Sequence, residues 1–230
     1  MFQKKAALLV FGSILLVGLT LPAWAANAGN DEEVLRNATT VLQAMLASDD
    51  IPKSALAKAD CIIVLPNVKK FAVGIGGTGG RGPMSCRLGP NFSGKWSAPA
   101  FYTIGGASAG LQIGGTSTDF VLLVMANSAV DKVMDGKVKV GSDVTAAAGP
   151  GATAGAKVGG EDILTYARAK GLFAGVSLDG STLDPDGNGN GRMYGKDKTA
   201  KEILTTSKLT PSASGKAFMA TLDSKAPKHK

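Results

Sequence analysis

The sequence predicts an α+β fold: a twisted, largely antiparallel, glycine-rich sheet that curls toward a barrel, with N-terminal and C-terminal helices packed on it. Three observations predict it. Glycine supplies 31 of the 230 residues, well above the average share of about 7%, and aromatic residues are few. The stretch from Trp96 to Asn127 has no basic residue, and its first acid is Asp119. Apolar and small residues alternate through it with the period of a strand. Helical spacing of apolar residues recurs before Cys61 and again after Lys198.

Residues 1–25 read as a secretory leader. Lys4 and Lys5 open it, residues 6–21 are apolar apart from Ser13 and Thr20, and Ala23-Trp24-Ala25 places small residues at the cleavage-determining positions. The expectation is an exported protein, periplasmic or secreted, cleaved after Ala25. No later segment is apolar for long enough to span a bilayer. About 200 residues remain, enough for one domain with a sizeable core. The expected organisation is a single domain over residues 26–223 and a disordered basic tail over residues 224–230.

A helix opens at Asn30, with Glu33 three residues on as in a capping box. Val34, Leu35, Ala38, Val41, Leu42, Met45 and Leu46 share one of its faces. Ser48-Asp49-Asp50 ends it, and Pro52 suits the start of a second helix over residues 53–58. Residues 61–65 form a short buried strand, stopped by Pro66-Asn67. Residues 71–87 form a hairpin turning at Gly79-Gly80. Residues 96–127 form three strands that turn at Gly105-Gly106 and Gly114-Gly115. Their core residues are Phe101, Ile104, Leu111, Ile113, Phe120, Leu122 and Val124.

Residues 128–134 are helical, since Ala129, Val130, Val133 and Met134 share a face. A strand-like segment lies between Gly136 and Gly141. Residues 144–158 are small-residue strands meeting at Gly149-Pro150-Gly151. Residues 163–168 and 172–178 form a further pair. Residues 184–191 form an exposed loop, and residues 198–205 and 211–222 are helices, the second capped by Thr210.

Two cysteines, Cys61 and Cys86, are an even pair and a candidate disulfide in an exported chain. The bridge would close a loop of about 25 residues and contribute about 3 kcal/mol. Two buried free thiols are the alternative. Without a nearby histidine the pair is a poor metal set.

The chain is poor in reactive groups. Its one histidine is His229, which removes most histidine-based acid–base and metal chemistry. The run from Gly74 to Gly79 spells G-x-G-x-x-G, but Gly80-Arg81-Gly82-Pro83 follows where a dinucleotide site needs a helix. Gly106-Ala107-Ser108-Ala109-Gly110 spells the nucleophile elbow of hydrolases, yet a strand-like LQIGG follows and no histidine base is at hand. Asp184 to Asn190 alternates oxygen donors as calcium loops do, but Gly195 stands where the bidentate Glu belongs. The reading is no enzyme, no catalytic residue, no cofactor and no metal.

The formal charge is +7. The bases are scattered, unlike a nucleic-acid footprint, but they suit an anionic surface. Lys69, Lys70, Arg81 and Arg87 surround the glycine-rich hairpin and are the expected contacts to anionic lipid headgroups. The alternative is a structural or interaction module of the cell envelope whose partner is a protein.

Several phrases resemble one family. They are Ala59 to Pro66 (ADCIIVLP), Gly82 to Arg87 (GPMSCR), Trp96 to Phe101 (WSAPAF), Gln112-Ile113-Gly114, Gly149-Pro150, Tyr166 to Leu178 (YARAKGLFAGVSL) and Tyr194-Gly195. Their order and spacing resemble the SYLF domain, which also occurs in eukaryotic SH3-containing proteins of the cortical actin patch. The resemblance covers about Asn30 to Thr205, and GLFAGVSL and WSAPAF are its specific parts. It implies a non-enzymatic domain that binds anionic lipids, phosphoinositides in the eukaryotic members, through a basic amphipathic N-terminal segment. Here that segment begins with Asp31, Glu32 and Glu33.

Overall fold

A computed structural model describes residues 23–136, 138–140, 145–146, 163–170, 178 and 180–226. The fold is α+β, with a curled six-stranded sheet and helices at both ends. Several sequence expectations fall outside the described residues. They are residues 1–22, most of residues 144–158, residues 172–177, residues 227–230, and the side chains of Ser108, Leu111 and Ile113.

Helix α1 spans Ala23–Ala47. Within the described residues it already runs at Ala23, ahead of Asn30, because the helix formers Ala23, Ala25, Ala26 and Ala28 outweigh Gly29. Asp31 and Glu32 therefore lie inside a helix, and the expected capping box gives way. The apolar face is as the spacing predicts: Leu35, Ala38, Leu42 and Met45 are fully buried. Asp49, with a φ of 53°, turns the chain into α2, Lys53–Lys58.

The largest departure is in the sheet. Strand β1 runs unbroken over Cys61–Cys86 and pairs antiparallel with β2, Ala100–Val124, from Cys61 opposite Val124 to Met84 opposite Ala100. The expected stop at Pro66-Asn67 is a bulge. Two residues of β1, Pro66 and Asn67, stand opposite Asp119 alone, between the pairs Leu65–Phe120 and Val68–Thr118. Asn67 takes a φ of 52°, and its N–H donates to Asp119 Oδ1 at 2.8 Å. A bulge is where a proline fits a long strand, since the ladder needs no donor there. The expected turns at Gly79-Gly80, Gly105-Gly106 and Gly114-Gly115 are likewise strand interior.

Of these glycines, Gly80 and Gly106 serve contact: an added Cβ would lie 2.7 Å from Val68 Cγ2 and 2.6 Å from the Gly180 carbonyl oxygen. The β1–β2 ribbon folds over on itself, so that the two halves of β1 meet. Cys61 and Cys86 are 4.0 Å apart at Cα and are disulfide-bonded. The Arg87 N–H donates to the Asp60 carbonyl at 2.9 Å. At Gly82 an added Cβ would lie 1.8 Å from the Val64 carbonyl oxygen. No residue with a side chain fits that crossing.

The other edge of β2 is shared. Its first half pairs with β6, Ser181–Pro185, which carries β3, Val138–Val140. Its second half pairs with β5, Ile163–Lys170, which carries the short parallel strand β4, Thr145–Ala146. Period-two alternation sorts the side chains into two cores. Cys61, Ile63, Leu65, Phe120, Leu122 and Val124 pack with α3, Asn127–Asp135, and α5, Ala200–Thr205. Ile62, Val64, Val121 and Leu123 face the other way, onto α1 and α6, Ala213–Lys225. Residues 61–65 are buried on both faces, which is why they read as a continuous apolar run.

The expected exposed loop at residues 184–191 is instead the end of β6 and the helix α4, Gly187–Tyr194, capped by the Asp186 side chain. Helix α5 opens with a capping box between Thr199 and Glu202. Helix α6 is capped by Ser212, not Thr210, and runs past Leu222 to Lys225; Ala226 beyond it is buried. The segment expected as tail thus begins inside a packed helix. Among the described residues no helix is long and apolar enough to cross a membrane.

Two variants test the folded ribbon by denaturant unfolding. Gly82→Ala should lower stability by about 3 kcal/mol or more. Gly79→Ala, whose added Cβ meets nothing within 4 Å, should stay within about 0.5 kcal/mol. Replacing Cys61 and Cys86 together by Ala should cost about 3 kcal/mol, through the loop that the bridge closes in the unfolded chain.

Candidate functional site

The bulge at Asn67 decides what the next residues face. Leu65 and Val68 both point into the sheet core, although three positions apart, because the bulge absorbs the extra residue. After it, Lys69 is exposed, Lys70 half-buried and Phe71 63% exposed. Phe71 is the one large hydrophobic side chain exposed among the described residues. Its ring rests against Gly77 on the returning half of β1. Lys69 and Phe71 therefore share an exposed face at the fold of the ribbon, a small basic and aromatic rim with the half-buried Lys70 between them.

Arg81 and Arg87, expected beside Lys69 and Lys70, turn inward. Arg87 is 2% exposed. Its guanidinium stacks 4.3 Å from the Trp96 ring and donates to the carbonyls of Ala59, at 3.4 Å, and Ala226, at 3.3 Å. Burial lowers its pKa, while Asp223 and Asp60 oppose that shift. Arg87 pins the end of α6 to the start of β1. Arg81 lies 4.2 Å over the Phe101 ring and bonds to Asp31 at 2.6 Å and to Asp186. Neither arginine can reach a lipid headgroup without leaving these partners. The physical reason is the crossing of the ribbon, which brings the second half of β1 under α1 and α4.

Around Arg81 lies an ionic network that joins three elements. Asp31 of α1 has no solvent exposure. Arg192 of α4 grips it with two donors, Nε to Oδ2 at 2.7 Å and Nη2 to Oδ1 at 2.8 Å. The hydrogen bond to Asp31 raises the Arg192 pKa. Asp186 accepts from Arg81 and, at 2.9 Å, from the Gly189 N–H at the start of α4. Gly189 leaves the room that Arg81 needs, since a Cβ there would lie 2.0 Å from Arg81 Nη2.

Helix α4 is tied to β2 as well. The buried Asn190 amide accepts from the Phe101 N–H at 2.6 Å and donates to the Phe101 carbonyl at 3.1 Å. The Tyr194 hydroxyl donates to the Pro99 carbonyl at 2.8 Å, and burial raises its pKa well above that of a free phenol. Two residues of the calcium-like run are thus engaged elsewhere: Asp186 with Arg81 and Gly189, Asn190 with Phe101. Among the described residues no group of three or more His, Cys, Asp or Glu is placed to hold a metal.

Sequence reasoning missed Asp31, Asp186 and Arg192. One signal was present. Asp31 occupies the same helical stripe as Leu35, Ala38, Leu42 and Met45, and a lone charge in an apolar stripe calls for a buried partner.

Residues 105–225 match the Ysc84 family, described as Las17-binding protein actin regulator. An SH3 domain-containing protein of Schizosaccharomyces pombe is 36% identical over 178 residues, covering 74% of this chain and 40% of that protein. The protein YSC84 of Saccharomyces cerevisiae is 34% identical over 188 residues, covering 79% of this chain and 39% of that protein. The human SH3 domain-containing YSC84-like protein 1 is 32% identical over 180 residues, covering 75% of this chain and 51% of that protein. The chain thus spans about half the length, or less, of these relatives.

These findings correct the expected localisation. The relatives come from yeasts and mammals, and their names refer to SH3 domains and to YSC84. The family description is of an actin regulator, and actin works inside cells. An exported protein, periplasmic or secreted, does not fit that setting. The point read as a cleavage site, Ala25, lies within α1. The phrases that resembled the SYLF domain carried the right identification, and the chain belongs to the Ysc84 family, the family of the SYLF domain.

Proposed function

We propose that the chain is a non-enzymatic binding module that docks on an anionic lipid surface through Lys69, Lys70 and Phe71. One observation carries this reading: Phe71 is 63% exposed at the fold of the ribbon, directly after two lysines. An aromatic ring beside lysines suits the boundary between headgroups and acyl chains. The ring enters the apolar layer while the ammonium groups meet phosphates. Arg81 and Arg87, engaged inside the fold, take no part. In this reading the charged cluster serves structure: Asp31, Asp186, Arg81 and Arg192 are paired with one another, and the chain's one histidine is His229.

A second reading comes from the relatives, one of which is named LAS seventeen-binding protein 3. In that reading the same rim meets a protein, and lipid plays no part.

Co-sedimentation with neutral and anionic vesicles at two salt concentrations separates the two. The lipid reading expects binding to anionic vesicles only, weakened by salt. Two lysine contacts of about 1 kcal/mol each mean that Lys69→Ala with Lys70→Ala weakens this binding roughly thirtyfold. Phe71→Ser should weaken it further. Unchanged binding in the double lysine variant would sink the rim as the lipid site. No vesicle binding by the unaltered chain would leave the protein-partner reading.

A further inference from the structure

We propose that Arg81 and Arg192 form a site for a phosphomonoester, which Asp31 occupies in cis, so that the first turns of α1 act as a displaceable plug. The inference rests on the ionic network and is independent of the rim at Phe71.

Three features of the network carry it. First, the two arginines come from different elements, β1 and α4, and both spend donors on one carboxylate, at 2.6, 2.7 and 2.8 Å. Two guanidinium groups closing on one anion is the arrangement that recognises phosphate. Second, the cradle has a donor to spare. Arg81 Nη2 is buried beside Gly189 and has no hydrogen-bond partner. A carboxylate offers two oxygens, whereas a phosphomonoester offers three and carries more charge. Third, Arg81 is held independently of the plug. Arg81 remains bonded to Asp186, which is held by the Gly189 N–H at the start of α4. Without Asp31 the cradle holds two arginines against one aspartate and carries net positive charge.

The plug can withdraw without undocking the helix. From Leu35 onward α1 is fixed by fully buried apolar residues, Leu35, Ala38, Leu42 and Met45. Ahead of Leu35, Asp31 is held by the two arginines, and Glu32 accepts from the Ser214 N–H at 3.3 Å. Asp31 sits about two turns inside α1, so the opening is a local unwinding of the helix ahead of Leu35 that leaves the buried apolar anchors in place. The arginine side chains are 18% and 27% exposed while Asp31 is at 0%. Solvent and a small anion thus reach the cradle's edge before the plug has moved.

The test uses the full chain and inorganic phosphate, followed by calorimetric titration. Asp31→Ala should bind phosphate at least tenfold more tightly than the unaltered chain, and adding Arg192→Gln should abolish the gain. Equal affinity of Asp31→Ala and the unaltered chain overturns the proposal. Should Asp31→Ala fail to fold, hydrogen exchange on the unaltered chain decides. Phosphate should speed exchange of the amides of residues 30–34 at least fivefold and leave those of residues 38–45 unchanged; no acceleration overturns the plug. Glycerol 3-phosphate and vesicles of phosphatidic acid or phosphatidylglycerol then identify the source, read by the same exchange. Glycerol 3-phosphate acting alone, or together with phosphatidic acid, supports a phosphomonoester site open to soluble ligands. Phosphatidic acid acting alone places the same site at a membrane. Phosphatidylglycerol, a diester, acting as strongly as phosphatidic acid overturns the monoester site. The phosphate titration involves no vesicle, so its failure would leave the lipid reading of the rim untouched.

Discussion

Asp31 carries its carboxylate on a side chain with no solvent exposure, and the surrounding elements are arranged to meet that charge. Desolvating a carboxylate costs several kcal/mol, offset only when geometry is good and every oxygen is paired. Here both oxygens are paired, by Arg192 from one side and Arg81 from the other. The net gain in stability from such a network is small, but the arrangement is selective. The apolar stripe of α1 would tolerate a slide along the sheet; the Asp31 pairing allows one position. At the far end of α1, Arg168 of β5 meets Asp50 at 2.7 Å and Ser48 at 2.5 Å. Arginines thus latch the helix at Asp31 and just past its C-terminal end, with apolar burial between them.

The network exists because the ribbon folds over. Arg81 reaches α1 only after β1 has crossed its own first half at Gly82 and Val64. The disulfide between Cys61 and Cys86 holds the two ends of that crossing. The bulge at Asn67, clamped by Asp119, sets the direction in which Phe71 leaves the strand. One folded strand therefore produces both features of interest, an inward arginine cluster and an outward basic and aromatic rim. Lys69 and Arg81 lie on opposite halves of the same strand and have opposite fates, because Lys69 lies past the helix-covered residues 61–65 whereas Arg81 is bonded to Asp31 of α1 and to Asp186 at the start of α4.

The helices were legible in the sequence where apolar residues recur at 3.6-residue spacing, as in Leu35 to Met45 and Ala129 to Met134. Their starts were less so, since Asn30 and Thr210 resemble caps but lie within or ahead of the turns that others cap. The sheet was legible as a class and misread in its segments. Paired glycines signal a turn when read locally; here one member of a pair can serve a contact between residues far apart in sequence, such as Gly106 with Gly180 and Ser181, which no local pattern encodes. Pro66 was misread as a strand end for the same reason, since its bulge depends on Asp119 across the ladder. The site was half legible. Lys69 and Lys70 are at the surface, but Arg81 and Arg87 were counted by charge alone, and charge does not tell a rim from a buried clamp. The run of alanines and apolar residues before Asn30 reads as a leader, while Ala23 to Gly29 is helix here.

The central claim is that the Asp31 network couples α1 to the rest of the fold, and a double-mutant cycle on Asp31 and Arg192 measures it directly. Stability to denaturant would be compared for Asp31→Ala, Arg192→Ala, the double variant and the unaltered chain. The account predicts a coupling energy of at least about 1.5 kcal/mol. Additive effects, with coupling near zero, would contradict it and leave apolar packing alone to position α1.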